Sequence, residues 1–271
     1  YARVYPEGSM AAQVLGFVNI DNIGLEGIEY KYNDILLSGD SSRNEENKGL
    51  TVQLTLDREI QYIAQKTLNA YSEQVMPQRG IALVLEIKTG KILGLATYPQ
   101  FDPETFYNYD KSILTCFSVV DSFEPGSTMK LFAAITLLEH LPDALQKTFI
   151  CKGSIDVFDA TIKCTKEHGR VNLNDIITYS CNAGIIQAMQ YVKKDYLYQT
   201  LVRFGFGEKT GIQLSGESSG ILRPPQTWSG LSKFSMAIGQ ELSVTSVQLA
   251  SAIAAIANKG IYMYPQIVNQ I

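Results

Sequence analysis

The sequence predicts a mixed α/β fold, and three observations carry that expectation. Hydrophobic residues make up 45% of the 271 positions and charged residues 18%, enough to bury a large core. Residues 80–87 and 92–98 are β-type runs on either side of a short turn. A stretch that begins at Ser127 is apolar on nearly every side, as a helix inside a core is. The length fits one large domain plus a smaller piece. The net charge of -4 argues against nucleic acid as a partner.

Residues 1–49 are rich in Gly, Asn, Asp and Ser, and 38–49 are polar throughout, as in a solvated linker or hairpin tip. Residues 51–56 alternate like a half-buried strand. Asp57 then suits an N-cap, with Ile60, Ile63, Ala64, Thr67, Leu68 and Tyr71 at helical spacing behind it. Residues 80–87 and 92–98 form a hairpin whose turn is Lys88-Thr89-Gly90-Lys91. After a loop with Pro99 and Pro103, Glu124-Pro125-Gly126 leads into the apolar helix, which carries Met129, Leu131, Phe132, Ala133, Ala134, Ile135, Leu137 and Leu138. Further helices are expected within 173–192 and over 244–258. No apolar run approaches the roughly 18 residues that span a bilayer. Tyr1-Ala2-Arg3 does not open like a signal peptide and reads as the middle of a longer protein.

The cysteines Cys116, Cys151, Cys164 and Cys181 form no CxxC pair, and His140 and His168 are too few for a histidine-rich metal site. The reading therefore expects no metal ion and no cofactor. Cys151 and Cys164 bracket a short strand-like loop around Gly153. They read either as a disulfide in an oxidising compartment or as two free buried thiols.

Ser127-Thr128-Met129-Lys130 is the chain's sole Ser-x-x-Lys sequence. Residues three apart share a helix face, so hydroxyl and amine meet across one turn. The positive end of the helix dipole and burial both disfavour an ammonium there. A neutral Lys130 can then take the proton of a nucleophilic Ser127. The bare pattern arises easily by chance; its place at the first turn of a buried helix sets this one apart. Ser180-Cys181-Asn182 is a Ser-x-Asn sequence between two helical stretches. Its hydroxyl suits a proton relay to a leaving amine and its amide a substrate carbonyl; the bland alternative is a helix cap.

Ser127-x-x-Lys130 followed by Ser180-x-Asn182 resembles the active-site series of penicillin-binding proteins and serine β-lactamases, Ser-x-x-Lys, Ser-x-Asn, then Lys-Thr/Ser-Gly. The surroundings resemble the class B penicillin-binding proteins. Arg3-x-Tyr5-Pro6-x-Gly8, Leu15-Gly16-Phe17, Gly24-x-x-Gly27-Ile28-Glu29 and Leu36-x-x-Gly39 are similar to the end of their non-catalytic pedestal domain. Phe123-Glu124-Pro125-Gly126-Ser127-Thr128 is similar to their approach to the nucleophile, and leans toward division-type or sporulation-type members over the elongation type. His168-Gly169, Phe204-Gly205-Phe206-Gly207, Ala237-Ile238-Gly239-Gln240 and Val244-Thr245-x-x-Gln248-Leu249-Ala250 also fit, in order.

Several short matches are decoys. Ser42-Arg43-Asn44 lies in the charged linker. Lys88-Thr89-Gly90 precedes Ser127 and serves a turn. Lys209-Thr210-Gly211 comes before the region after which the family carries its third motif. Gly216-Glu217-Ser218-Ser219-Gly220 spells a nucleophile elbow, but Pro224-Pro225 denies it a helix and no histidine follows His168.

The resemblance implies an antiparallel sheet flanked by helices, with an all-helical subdomain across the cleft. It assigns residues 1–49 to the C-terminal part of the pedestal and a linker, and 50–271 to a transpeptidase domain cut before its third motif, with the missing strands expected beyond Ile271. It implies a peptidoglycan D,D-transpeptidase with Ser127, Lys130, Ser180 and Asn182 as catalytic residues and no cofactor. The substrate is the D-Ala-D-Ala end of a stem peptide, and β-lactams acylate Ser127. Implied partners are a membrane glycosyltransferase and division or elongation proteins, on the extracytoplasmic face of a bacterial membrane, with an anchor helix upstream of this sequence. Two alternatives stay open: a β-lactamase-like hydrolase or β-lactam sensor, and a non-catalytic scaffold of the cell-wall machinery.

Overall fold

The computed structural model describes residues 3–38 and 49–271. The polar linker read over 38–49, and Ser42-Arg43-Asn44 with it, falls almost wholly outside the described residues. The chain forms two compact units, each built from separated segments. The first comprises Tyr1–Asp121, Lys209–Ser218 and Thr245–Ile271; the second comprises Ser122–Glu208 and Ser219–Val244.

In the first unit the expected hairpin is present, Gly80–Leu85 antiparallel to Ile92–Tyr98. Its turn closes through Gly90 N–H on Glu86 O at 2.9 Å. Gly90 sits at φ +78°, and a Cβ there would lie 2.3 Å from Tyr264 O. Lys88-Thr89-Gly90 is thus consumed by the turn. The strand expected over 51–56 shrinks to Gln53–Leu54, paired with Val268–Gln270. A register shift interrupts it. The Thr55 hydroxyl then leaves the ladder to donate to Ile92 O and Gln266 O at 2.7 and 3.0 Å. Val14, Ile28, Ile92, Leu95, Val119, Ile212, Val247 and Ile267 meet in one buried core.

Asp57 caps the Arg58–Val75 helix as read, accepting from the N–H groups of Glu59 and Ile60. The buried face is rotated from the expected one. Ile63 and Tyr71 are 61% and 63% exposed, while Gln61, Gln65 and Ser72 are buried. Hydrogen bonding sets this rotation. Leu95 N–H donates to Gln61 Oε1 at 2.7 Å, Gln61 Nε2 donates back to Leu95 O at 3.1 Å, and Gln65 Nε2 donates to Thr97 O at 2.9 Å. Backbone groups of the Ile92–Tyr98 strand would otherwise be buried unpaired, which costs about 1–3 kcal/mol each. The helix over 244–258 is Ser246–Ala257, opened by a reciprocal capping box of Thr245 and Gln248.

The second unit gathers the helices Lys130–His140, Leu173–Thr178, Asn182–Met189, Lys194–Arg203 and Ser232–Ala237. Phe132, fully buried, meets the edges of Phe204 and Phe206, each with ring centroids 5.0 Å apart. That contact is the packing role of the Phe-Gly-Phe-Gly sequence. The lobe is not all-helical as expected. Phe149–Cys151 pairs with Gly169–Val171, and Ser154–Val157 pairs with Ala160–Lys163. Gly153 at φ +86° and Phe158 at φ +55° turn the chain back on itself there, so the segment cannot run on as helix.

Candidate active site

Ser127 lies in a 3-10 turn, Gly126–Met129, that runs straight into the Lys130–His140 helix. Pro125 and Gly126 shape the approach, with Gly126 at φ +60°. The segment around Gly239 fixes it at several points. Gly126 N–H donates to Gly239 O at 3.1 Å, and Phe123 and Val244 exchange backbone bonds of 3.0 Å. The Glu124 carboxylate accepts the Glu241 N–H at 2.9 Å. Gly239 is at φ +83°, and a Cβ on it would stand 1.9 Å from Gly126 O. This explains why Ala237-Ile238-Gly239-Gln240 belongs with the nucleophile although 112 positions separate Ser127 from Gly239.

Lys130 is 2% exposed. Its Nζ lies 2.7 Å from Ser127 Oγ and 3.1 Å from Ser180 Oγ. Burial pushes its pKa down to about 8, against an opposing pull from the Cys164 and Cys181 thiols. A share of the amine is therefore neutral near neutral pH. The structure brings three of the four residues singled out from sequence into one hydrogen-bonded group.

Ser180 stands between the helices Leu173–Thr178 and Asn182–Met189 in the left-handed region, at φ +52°. The turn is tied by Cys181 N–H on Ile176 O at 2.9 Å. Neither Ser180 nor Asn182 caps the second helix. Cys181 does, its Sγ accepting the Gly184 N–H at 3.3 Å. Asn182, the fourth residue, turns its Nδ2 to the Lys163 carbonyl at 2.8 Å. That bond uses one of the two amide hydrogens, so a second N–H donor and the Oδ1 acceptor remain for a substrate.

The decoys behave as decoys. Thr210 N–H and hydroxyl both donate to the Glu217 carboxylate, and so does Gly211 N–H, so Lys209-Thr210-Gly211 closes a loop of the first unit. After Gly216-Glu217-Ser218-Ser219-Gly220 the chain bridges Ile221 to Ser243 and then makes only a short 3-10 turn, Pro225–Thr227, not the α-helix an elbow needs.

Sequence reasoning missed one arrangement. Cys151, Cys164, His168 and Cys181 place their ligand atoms within 4.8 Å of one another beside the Ser-x-Asn turn. Cys151 and Cys164 are unbridged, with Sγ atoms 3.7 Å apart. A signal was present: twelve residues lie between the first two cysteines, three between Cys164 and His168, and twelve between His168 and Cys181. Without a CxxC pair it did not read as a ligand set.

Residues 80–271 match the family model described as the penicillin binding protein transpeptidase domain. The chain is 33% identical to stage V sporulation protein D of Bacillus subtilis, across 99% of this chain and 45% of that protein. It is 28% identical to peptidoglycan D,D-transpeptidase FtsI of Escherichia coli, across 96% of this chain and 47% of that one. The solved structure of Mycobacterium tuberculosis penicillin binding protein 3 complexed with ampicillin superposes with a TM-score of 0.91 at 34% identity, over 99% of this chain and 60% of that one. The mixed α/β architecture is the one these structures share. The chain spans about half the length of the curated relatives it matches.

Proposed function

Because the chain belongs to the class B penicillin-binding proteins, we propose that it carries the acylating site of a peptidoglycan D,D-transpeptidase, with Ser127 as nucleophile. The observation that carries this reading is the contact of Lys130 Nζ with both Ser127 Oγ and Ser180 Oγ. Ser127 Oγ attacks the carbonyl carbon of the penultimate D-alanine while the neutral Lys130 amine takes the hydroxyl proton. The C–N bond to the terminal D-alanine then breaks. Lys130 returns the proton through the Ser180 hydroxyl to the departing amine, leaving an ester on Ser127. An acceptor amine from a second stem peptide attacks that ester, gives up its proton along the same path and regenerates Ser127. The Ser127 N–H supplies one oxyanion donor, and the second Nδ2–H of Asn182 donates to a substrate carbonyl.

A β-lactam enters the same path as a cyclic amide whose leaving group stays tethered, so it acylates Ser127 and lingers. The wider reading follows from the same premise. Residues 1–49 form the C-terminal part of a pedestal domain and a linker, and 50–271 belong to the transpeptidase domain. The whole protein works at the extracytoplasmic face of a bacterial membrane with a membrane glycosyltransferase and, by its leaning to division-type and sporulation-type relatives, division proteins. Among the described residues no helix is long and apolar enough to cross a membrane. The test is a fluorescent penicillin followed by mass mapping of the labelled peptide. The label should sit on Ser127 and vanish in Ser127→Ala; a label retained in that variant, or mapped to Ser218, refutes the assignment.

A further inference from the structure

Three thiols and one imidazole converge in the second unit, although they come from four separate stretches of chain. Cys151 ends the Phe149–Cys151 strand and Cys164 follows the Ala160–Lys163 strand. His168 precedes the Gly169–Val171 strand, and Cys181 caps the Asn182–Met189 helix. The separations are those of a coordination shell. A tetrahedral zinc ion with Zn–S near 2.3 Å and Zn–N near 2.0–2.1 Å sets its ligand atoms about 3.8 Å apart for S···S and about 3.6 Å for S···N. Here Cys151 Sγ to Cys164 Sγ is 3.7 Å, Cys164 Sγ to Cys181 Sγ is 3.9 Å, and Cys151 Sγ to His168 Nδ1 is 3.4 Å. The remaining pairs lie within 4.8 Å and close with a small contraction.

The surroundings suit thiolates. Ala183 N–H donates to Cys164 Sγ and Gly184 N–H to Cys181 Sγ, both at 3.3 Å, and both come from the first turn of one helix. Such outer contacts orient ligands and stabilise their charge. The His168 ring lies parallel to Tyr179, with centroids 5.7 Å apart, which sets its plane. Cys151 and Cys181 are buried, whereas Cys164 and His168 are partly exposed and leave a way in for an ion.

We propose that Cys151, Cys164, His168 and Cys181 form a structural zinc site that holds the Ser180 turn in place. Three sulfurs and one nitrogen in a tetrahedron are a zinc donor set, and four protein ligands close the shell, so the ion takes no part in the chemistry. A Cys151–Cys164 disulfide is the competing account. It draws two sulfurs together to about 2.05 Å and does not account for the convergence of the Cys181 thiol and the His168 imidazole on the same point. Binding converts thiols to thiolates and releases up to three protons to solvent, one per cysteine. The consequence for the site is positional. Cys181 adjoins Ser180, and Asn182 is tied to the carbonyl of Lys163, next to Cys164. The ion therefore pins both sides of the segment that carries Ser180 toward Lys130. This positional consequence, unlike the ion itself, rests on the reading of Ser127 as nucleophile.

The test uses the purified chain, reduced, equilibrated with zinc and freed of excess by gel filtration. Elemental analysis should find about one zinc per chain, and cobalt in its place should give a sulfur-to-cobalt charge-transfer band with tetrahedral d–d absorption. Zinc should also shield three of the four thiols from a thiol reagent, a measurement on the unaltered sequence that needs no variant to fold. Cys164→Ser and His168→Ala should each weaken zinc binding by at least the ~10–100-fold that loss of an outer-shell partner costs. Chelation should slow Ser127 labelling by a fluorescent penicillin, and added zinc should restore it. A reduced chain that keeps no zinc and shows equal thiol reactivity with and without it overturns the site. So does full retention of zinc in Cys164→Ser, or a Cys151–Cys164 disulfide that persists in the zinc-equilibrated protein. Zinc bound but without effect on labelling overturns the positional role alone. Failure to label Ser127 in any metal state counts against the transpeptidase reading and leaves the metal result standing.

Discussion

Gly239→Ala is the sharpest perturbation this structure offers, because it acts on the nucleophile without touching it. A Cβ at position 239 would lie 1.9 Å from Gly126 O and 2.5 Å from Gly126 N, where real Cβ contacts essentially never fall under 3.0 Å. Both partners are backbone, so neither can swing aside. Gly126 must move by about 1 Å, and it directly precedes Ser127. Misplacing a reacting group by that distance costs on the order of 10²-fold in rate. The left-handed backbone, φ +83°, adds about 1–2 kcal/mol of strain for a residue with a Cβ. In a protein of this size that lowers the melting temperature by roughly 2–4 °C per kcal/mol. Gly260→Ala separates the two effects. Gly260 is equally left-handed, at φ +87°, but nothing lies within 4 Å of its Cβ direction. Both variants should melt lower, and the second-order rate of penicillin acylation should collapse in Gly239→Ala alone. Equal acylation rates in the two variants would refute the claim that the Gly239 segment positions Ser127.

The remaining predictions address the base, the relay and the helix that carries no chemistry. Acylation should rise with pH toward a plateau above about 8, because the reactive form of Lys130 is the neutral amine; Lys130→Arg should be about 10²–10⁴-fold slower with no such rise. The stability sign follows from the same shift: between about 8 and the ordinary 10.5 the unfolded chain binds the extra proton, so wild-type stability should climb with pH in that window. Denaturant midpoints at neutral and alkaline pH should show that climb in the wild type and not in Lys130→Met. Ser180→Gly should raise stability by up to about 1 kcal/mol by relieving the left-handed backbone, whereas Ser180→Ala should not; penicillin labelling should fall in both, and near-wild-type labelling in either would remove Ser180 from the relay. Gln61→Ala should cost about 1–3 kcal/mol by stranding the Leu95 backbone, while Ile63→Ala should stay within about 0.5 kcal/mol; the reverse order in thermal melts would restore the face read from sequence.

What was legible in the sequence was whatever one short window encodes. The hairpin at 80–98, the Asp57 cap, the helix behind Ser127 and the helix read over 244–258 all stand where the pattern placed them. The pairing of Ser127 with Lys130 is a one-turn relation and was legible for the same reason. The failures are long-range. The face of the Arg58–Val75 helix is set by glutamines that satisfy a strand over thirty residues away, which no hydropathy period reports. The strand pairs at 149–171 depend on residues with positive φ, one of which is Phe158, a type that carries no turn signal. The Cys151, Cys164, His168 and Cys181 group is assembled by tertiary folding, and its spacing matched no ligand pattern in view.

These observations bear on why the site is costly and where its cost is met. Gly126, Ser180 and Gly239 are all left-handed, and Lys130 beside them is buried at a depressed pKa. None of these features stabilises the chain, and non-glycine strain of this kind persists only where surrounding contacts over-determine it. The contacts that do so are on either side of the reacting atoms. Paired backbone bonds between Phe123 and Val244 and the Gly126–Gly239 bond hold the nucleophile turn. The Cys181 cap, the Asn182–Lys163 bond and the Ile176–Cys181 backbone bond hold the Ser180 turn. Among the described residues Lys130 links the two through side-chain atoms, at 2.7 and 3.1 Å. The site is thus two separately braced turns bridged by one amine. A substitution that relaxes either turn can raise stability while it opens the bridge, which is the physical form that a trade-off between stability and activity takes in this protein.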